Sequence, residues 1–333
     1  MDIGNLLGFA LQQSLGPTAI IYCLAAIGLN IHFGYTGLLN FGQAGFMLVA
    51  GYSFGGAVTI FASSLWVGVI VGILLCVLLA LLLGVPTLRL RADYLAIVTI
   101  AAAEIIRQTI GAAAFSETFG GQDGITDFIA GFRAANPYTA PLDLGIVSWS
   151  TYDIWVMTVG WGLVAVCCVI VWLLMRSPWG RVLKSIREDE HAVRSLGKNV
   201  YAYKMQALVI GGVIGGFAGM MTSMRSAAVG PSFFATDVTF FAYTALLIGG
   251  AARVLGPVVG AIIFWFLINF FGAFFTQATS GPDPLIPTWI MDSNQASIMR
   301  VHPGGTRSDA AHDLQTTRNL RRPEGAGDRC PLT

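Results

Sequence analysis

Long stretches of the chain lack any charged side chain, and this pattern dominates the sequence. The runs without Asp, Glu, Lys or Arg cover residues 3–88, 154–175, 205–224, 238–252 and 254–282. Because a membrane-crossing helix needs ~20 mostly apolar residues, most of these runs can span a bilayer and the first must hold several segments. Gly, Pro and polar clusters divide that first run into Leu6 to Ile31, Phe41 to Ile60 and Leu65 to Gly84.

A further run, Tyr94 to Phe115, is apolar apart from Glu104 and Arg107. Together the runs predict an all-α polytopic membrane protein with seven or eight transmembrane helices or half-helices. Phe41 to Ile60 is rich in Gly and polar residues, so the pattern leaves open whether it crosses fully or only enters the membrane. The short run at 238–252 predicts a tilted, broken or re-entrant helix.

Charges between the runs predict the orientation, because Lys and Arg favour the cytoplasmic side. Residues 176–204 hold seven cations, and the connection before Tyr94 holds Arg89 and Arg91. Residues 116–153 hold five acidic residues against one cation, Arg133, which suits the outer face. We therefore predict a transmembrane domain over residues 1–299 with a cytoplasmic segment at 176–204 and an external loop at 116–153.

The overall composition narrows the class of protein. Only 11% of the residues are charged and 55% are hydrophobic, whereas a soluble domain has about 25% charged residues, so an ordinary soluble enzyme is excluded. A net charge of +1 offers no field that would recruit nucleic acid. Four of the five cysteines lie in apolar runs, and the four histidines are scattered. We expect no catalytic constellation, metal site or cofactor.

Residues 177–197 have the punctuation of a single cytoplasmic helix. Ser177 can cap the amino end, Pro178 suits the first position, and Gly197 can adopt the left-handed conformation that ends a helix. One predicted face is apolar, with Val182, Ile186, Val193 and Leu196. The opposite face is charged, with Arg187, Glu188, Glu190 and Arg194. Such a helix can dock on a partner, or it can lie at the interface against anionic lipid headgroups.

Five ordered motifs carry a family resemblance. They are GLNIHFGYTGLLNFGQAGF (28–46), LRLRADYLAIVTIAAAEIIR (88–107), GGQDGITD (120–127), SPWGRVLKSIREDEHAVRSLG (177–197) and LIGGAARVLGPVVGAIIF (247–264). Over roughly residues 20–275 the chain resembles the integral-membrane permeases of branched-chain amino acid ABC transporters. The motifs are less specific for the substrate, since urea and short-chain amide permeases look similar.

The resemblance implies a multi-pass subunit of an importer in the bacterial plasma (inner) membrane. Its expected partners are a second related permease, two cytoplasmic ABC ATPases, an extracytoplasmic substrate-binding protein and a small amino-acid substrate. The helix at 177–197 would be received by an ATPase. Glu190, Ala192 and Gly197 resemble the family's coupling signature, with His191 in place of its middle Ala, and Arg187 and Glu188 precede them.

ATP hydrolysis is expected from the partners, because a phosphate-binding loop is missing from the sequence. The Gly197-Lys198 pair is followed by Asn199, and Ala192 stands where that loop needs an earlier glycine. An alternative to an ABC importer subunit is a self-sufficient secondary transporter or channel, which would transport when expressed alone.

Polar residues inside the apolar runs are the candidates for a transport pathway. Asn30, Asn40 and Gln43 could give a zwitterion a weak polar track, or they could form interhelical hydrogen bonds. Glu104 and Arg107 lie near mid-membrane and beyond it, where charges usually face a cavity or a partner. The alternative for them is an i, i+3 pair that neutralises itself.

Glycines mark the fifth motif, and acidic residues mark the external loop. Gly249, Gly250, Gly256 and Gly260 are predicted first as helix-packing positions and second as a gate. The segment around Asp123 either meets the binding protein or is a solvated loop.

The character of the sequence changes at residue 300. Residues 300–333 contain six Arg and no apolar stripe, which predicts an atypical disordered tail. The family pattern instead implies one more crossing here, and codons for Val301–Arg322 read one base later can encode an apolar helix. Our hypothesis is a single-base insertion or deletion near Arg300, which could leave a non-functional product; the alternative is an authentic tail.

Overall fold

The computed structural model describes residues 3–60, 64–89, 92–126, 128–143 and 147–279. Helices dominate these residues, which confirms the predicted all-α membrane fold. Residues 300–333, to which the predictions of a tail and of a shifted reading frame refer, lie outside the described residues.

Thirteen α-helices are assigned along the described chain. They are α1 Ile3–Leu15, α2 Pro17–Leu29, α3 Gln43–Ile60, α4 Leu65–Thr87, α5 Ala92–Ile110, α6 Ser116–Phe119, α7 Ala130–Ala134, α8 Thr151–Arg176, α9 Pro178–Glu188, α10 Glu190–Ser195, α11 Val200–Ser226, α12 Thr236–Gly249 and α13 Gly256–Thr279. A π-helix, Asn30–Tyr35, follows α2, and 3₁₀ turns occupy Ala113–Phe115 and Pro231–Phe234. Four two-residue strands are β1 Ile125–Thr126, β2 Leu142–Asp143, β3 Ser148–Trp149 and β4 Ala228–Val229.

Five stretches of helix in the described chain are long and apolar enough to cross a membrane. They are Pro17–Tyr35, Leu65–Thr87, Thr151–Arg176, Val200–Ser226 and Gly256–Ala278. A sixth results if Tyr94–Ile110 and Ala113–Phe119, bent by 59°, count as one span. With the bent pair counted as the sixth, including either α3, of 18 residues, or the short apolar helix α12, of 14 residues, gives the predicted seven segments, and including both gives eight.

The predicted segment Leu6 to Ile31 is divided into two helices. Gly16 separates α1 from α2, and Pro17 occupies the first position of α2. Proline lacks the amide hydrogen that would continue the α1 hydrogen-bond ladder, so the break falls at this point. The indole Nε1 of Trp161 in α8 donates to the carbonyl of Leu15 at 3.1 Å, beside the break.

Helix α11 lies at the centre of the bundle and packs against α2, α3 and α4. Its buried face is rich in glycine, which lets neighbouring backbones approach closely. At Gly219 an added Cβ would overlap the carbonyl of Met47 in α3, and at Gly215 it would overlap the side chain of Gln43. The hydrophobic core therefore forms around this helix.

The two polar connections of the bundle lie at opposite ends. Strand β1 pairs antiparallel with β4, with Ile125 opposite Val229, so the segment after α5 meets the turn after α11. Helices α9 and α10 follow the other end of α8. We refer to these as the outer end and the cytoplasmic end, after the cation rule.

Candidate functional site

A π-helix forms the end of the first described span, inside the bundle. The turn widens over Asn30–Tyr35, and five of its six residues are buried. Gly37 then adopts φ +73°, a conformation that glycine tolerates and that reverses the chain toward α3. Short π segments leave backbone groups free for other partners and are frequent at functional sites.

Asn30 clamps the turn between α12 and α13. Its Nδ2 donates to the carbonyl of Arg253 at 2.8 Å, and its Oδ1 accepts from the amide of Ala252 at 2.8 Å. Ala252 has φ +61°, an uncommon conformation for a residue with a side chain. Both Nδ2 and Oδ1 of Asn30 thus form interhelical hydrogen bonds, which is the second of the two roles predicted for this residue.

His32 and Asn40 form a buried polar pair. His32 Nδ1 lies 3.1 Å from Asn40 Nδ2, and Asn40 Oδ1 accepts from the amide of Gly42 at 2.9 Å. Because Asn40 Nδ2 can only donate, His32 Nδ1 is the acceptor. The imidazole proton is then on Nε2, which donates to the carbonyl of Leu208 at 3.1 Å. The ring is fully buried and neutral in this arrangement.

Further polar contacts extend this pair into a layer. Tyr243 Oη donates to the carbonyl of Asn40 at 2.9 Å, and the amide of Phe41 donates to Thr99 Oγ1 at 3.1 Å. Gln43 Nε2 lies 3.4 Å from the carbonyls of Ala25 and Gly211. Among the described residues, buried Gln43 Oε1 has no hydrogen-bond partner.

The structure therefore brings the predicted residues Asn40 and Gln43 together with a residue that sequence reasoning missed. In the sequence, His32 is one of four scattered histidines without a predicted role. The signal that could have found it is its position, because an ionisable side chain inside a long uncharged run is usually functional or specifically paired.

Glu104 and Arg107 lie apart from the buried layer. Arg107 Nε donates to Glu104 Oε2 at 2.9 Å and Nη2 donates to Oε1 at 2.6 Å, so the pair is bidentate. Gln108 Nε2 adds a third hydrogen bond to Glu104 Oε1 at 2.8 Å. The Glu104 side chain is 39% exposed, and Ile105 beside it is exposed as well. This face of α5 presents an ion pair that the rest of the described chain leaves partly uncovered.

The four glycines of the fifth motif lie where α12 meets α13. An added Cβ at Gly260 would overlap the carbonyl of Ala245, and one at Gly249 would overlap the carbonyl of Gly256. Gly250 has φ +92° in the turn between the two helices. The close approach of α12 and α13 depends on these positions.

The cytoplasmic segment begins as its sequence predicts. Ser177 Oγ accepts from the amide of Gly180, and Pro178 is the first residue of α9. Gly197 ends the segment with φ +75°. The prediction of one continuous helix is wrong, because Asp189 leaves the helical region with φ −151° and its Oδ1 caps α10 by accepting from the amides of His191 and Ala192. A carboxylate so placed satisfies the free amides of a new helix.

Helix α9 docks on the π-helix. Arg187 Nη1 donates to the carbonyl of Gly34 at 2.6 Å, and Lys184 Nζ lies 5.9 Å from the ring centroid of Tyr35. Ile186, predicted on the apolar face, is buried as expected, whereas Leu196 from the same predicted face is 79% exposed. Val193 of this face is buried in α10, whereas Leu196 lies just beyond the last residue of that helix, which accounts for its exposure.

The other coupling candidates lie on the accessible side of the segment. Glu188, Ala192 and Gly197 are exposed. Glu190 Oε1 accepts from Arg194 Nη2 at 2.7 Å, and Glu190 Oε2 pairs with Lys204. The described segment thus has an inner contact through Arg187 and an outer surface that a partner can reach.

Membrane-length helices, with an amphipathic helix docked on the π-helix that ends the first span, define a polytopic membrane protein. The chain belongs to the family of the branched-chain amino acid transport system, permease component, whose profile matches residues 15–290. It is accordingly a membrane protein with several crossings from a family of transport-system permease components, which are not themselves enzymes.

Two similar proteins are named as branched-chain amino acid transport permeases. The chain is 30% identical over 262 residues to the high-affinity branched-chain amino acid transport system permease protein LivM of Escherichia coli (strain K12), a match covering 75% of this chain and 61% of that protein. It is 28% identical over 282 residues to the probable branched-chain amino acid transport permease protein LivM of Methanocaldococcus jannaschii, covering 73% of this chain and 76% of that protein.

A more distant relative carries a different substrate name. The chain is 23% identical over 236 residues to the nucleoside ABC transporter permease protein NupC of Lactococcus lactis subsp. cremoris, covering 68% of this chain and 71% of that protein. The chain spans about three fifths of the length of the Escherichia coli relative described above. Its relatives include permeases named for more than one kind of substrate.

Proposed function

We propose that the chain is the membrane-spanning permease subunit of an ABC importer that moves branched-chain or other small amino acids inward. Its partners in this proposal are a second related permease, two cytoplasmic ATPases and an extracytoplasmic substrate-binding protein. The LivM relatives support the substrate class. The observation that carries the mechanism is the hydrogen bond from Arg187 to Gly34, which joins the cytoplasmic helix α9 to the π-helix at the end of the first span.

The proposed coupling runs through rigid connections. Only Ser177 separates α8, of 26 residues, from α9, and α10 is followed by α11, of 27 residues. An ATPase that moves α9 would therefore tilt two long helices, and through Arg187 it would also pull on the π-helix. ATP hydrolysis takes place in the partner subunits in this scheme. The exposed residues Glu188, Ala192 and Gly197, together with Glu190, are the proposed contacts of the ATPase.

The proposed pathway runs along the uncovered face of α5. Glu104 and Arg107 present opposite charges side by side, which matches the carboxylate and ammonium of an amino acid without a net attraction that would trap it. A second permease packed near this face would shield the pair from lipid, where charged groups are expensive. Asn30, Asn40 and Gln43 act behind the pathway in this proposal, as buried polar residues that hold the end of the first span against its neighbours.

The proposal is tested by uptake of radiolabelled leucine into reconstituted vesicles that contain this chain with its neighbouring transporter subunits, with ATP enclosed in the lumen and the substrate-binding protein outside. Leucine uptake that requires ATP and the partner subunits supports the proposal. Uptake by the chain alone would instead identify a self-sufficient secondary transporter.

Substrate identity is read from competition in the same vesicles. Excess isoleucine and valine should suppress leucine uptake, whereas urea, acetamide and uridine should not. ATP-dependent uptake of urea or uridine without leucine would retain the permease and replace its substrate, in keeping with the amide permeases the sequence resembles or with the nucleoside permease relative.

A further inference from the structure

A cationic cavity lies at the cytoplasmic end of the bundle, separate from the docking contact of α9. Its volume is about 520 Å³, within the ~300–1,000 Å³ range of small-molecule sites. It lies between the end of α4 and the connection from α10 to α11. The lining includes Arg89, Arg194, Lys198, Lys204, Glu190 and Tyr201.

The charges in this cavity do not balance. Four cations line it against one carboxylate, Glu190, which already pairs with Arg194 and Lys204. The guanidinium of Arg89 lies 5.9 Å from the ring centroid of Tyr201, and among the described residues Lys198 has no acidic partner. Among the described residues, Arg89 and Lys198 thus have no acidic partner, and both line the cavity.

The first turn of α11 adds to the positive potential. Val200 and Tyr201 begin this 27-residue helix and line the cavity. The amino end of a helix carries a partial positive charge and favours anions. Phosphate groups are the anions for which Arg and Lys side chains and helix amino ends are jointly suited.

An apolar strip leads from the cavity along α4. Leu88 lines the cavity, and Tyr201 Oη donates to the carbonyl of Val85 at 3.5 Å. Leu82 and Val85 are exposed on the adjoining turn of α4, 65% and 52% respectively. Apolar surface on a span of this kind faces lipid tails, so a ligand with a charged head and an acyl chain fits both parts of the site.

We propose that this cavity binds a phosphate-bearing anion, with the phosphate between Arg89, Lys198 and the amino end of α11. The phosphate can belong to an anionic phospholipid of the cytoplasmic leaflet or to a soluble phosphate compound. The apolar strip favours the phospholipid, whose acyl chain would lie along Leu82 and Val85.

The test is a calorimetric titration of the purified full chain in a zwitterionic detergent, without partner subunits. The probes are dioctanoyl phosphatidylglycerol, dioctanoyl phosphatidylcholine and inorganic phosphate. Saturable binding of phosphatidylglycerol is expected, with weaker binding of phosphatidylcholine, whose headgroup has no net charge. Arg89→Gln and Lys198→Gln should each weaken phosphatidylglycerol binding by about fivefold, and the double variant by about thirtyfold.

Arg181→Gln is the matched control, because Arg181 is an exposed cation of α9 that does not line the cavity. Its affinity should equal that of the parent chain. Inorganic phosphate that binds as tightly as phosphatidylglycerol, with the same dependence on Arg89 and Lys198, would support the site and assign it to a soluble phosphate.

Two outcomes overturn the proposal. One is an absence of saturable binding by both phosphatidylglycerol and phosphate, or binding that the double variant leaves unchanged. The other is a double variant that retains phosphatidylglycerol binding but no longer co-purifies with the ATPases, which would make the cavity a protein contact. Neither readout measures uptake, so failure here is distinguishable from failure of the transport proposal.

Discussion

Arg187 of the cytoplasmic helix α9 donates a hydrogen bond to the backbone carbonyl of Gly34 in the π-helix, at 2.6 Å. In a regular α-helix that carbonyl would accept from the amide of residue 38. Here the amide of Leu38 instead bonds the carbonyl of His32 at 2.8 Å. The helix ends at Tyr35, so the carbonyl of Gly34 in its last turn has no partner further along the helix, and Arg187 satisfies it.

Arg187→Gln should weaken ATP-dependent transport without preventing assembly with the ATPases. The shorter neutral side chain loses a charge-assisted hydrogen bond, and a hydrogen bond to a charged group is worth about 1.5–3 kcal/mol. We expect ATP-dependent leucine uptake by the assembled transporter to fall roughly tenfold or more, while the ATPases still co-purify. Arg181→Gln on the same helix should retain uptake. Normal uptake by Arg187→Gln would show that the Gly34 contact carries no coupling.

Gly260→Ala should destabilise the chain through the contact of α12 with α13. Its Cβ would overlap the carbonyl of Ala245 and lie 2.7 Å from the amide of Gly249, both backbone atoms that cannot give way easily. Overpacking of this kind costs about 1–3 kcal/mol. The matched variant is Gly162→Ala, whose Cβ meets no atom within 4 Å. Thermal unfolding in detergent should show a lower midpoint for the first variant and an unchanged or higher one for the second.

Asn30→Ala separates a structural role from a role in the pathway. The variant removes two interhelical hydrogen bonds to the turn at Ala252 and Arg253, each worth about 1 kcal/mol. We expect a lower unfolding midpoint and an unchanged KM for leucine in the assembled transporter. A raised KM with unchanged stability would return Asn30 to the substrate pathway.

His32→Leu should be more costly than its size change suggests. It leaves the side-chain Nδ2 of Asn40 buried without its partner, and a stranded buried polar group costs about 1–3 kcal/mol. The purified variant should unfold at a lower denaturant concentration than the parent. His191→Leu, at an exposed position of α10, is the control and should unfold like the parent. Equal stability of the two variants would argue against the buried pair.

Glu104→Gln tests the proposed pathway. Because Glu104 is partly exposed, its exchange should have little effect on the stability of the isolated chain. It leaves Arg107 without its counter-charge on the uncovered face of α5, so leucine uptake by the assembled transporter should fall. A variant that assembles normally and keeps full uptake would remove Glu104 from the pathway and leave the self-neutralising pair as its role.

Much of this protein could be predicted from local patterns. The long uncharged runs predict the membrane helices, because the length of an apolar run and the thickness of a bilayer are directly comparable. Ser177, Pro178 and Gly197 predict where the cytoplasmic segment begins and ends, since caps act on amides and carbonyls within one turn. The ordered motifs predict the family, which the match over residues 15–290 confirms.

The tertiary structure alone decided which polar groups meet. Asn30 binds a turn more than 220 positions away, His32 binds a carbonyl 176 positions away, and Arg187 binds one 153 positions away. An apolar pattern shows that such residues are buried, but it carries no information about the partner that satisfies them. Burial is a property of each segment, whereas hydrogen-bond pairing is set by the packing of segments against one another.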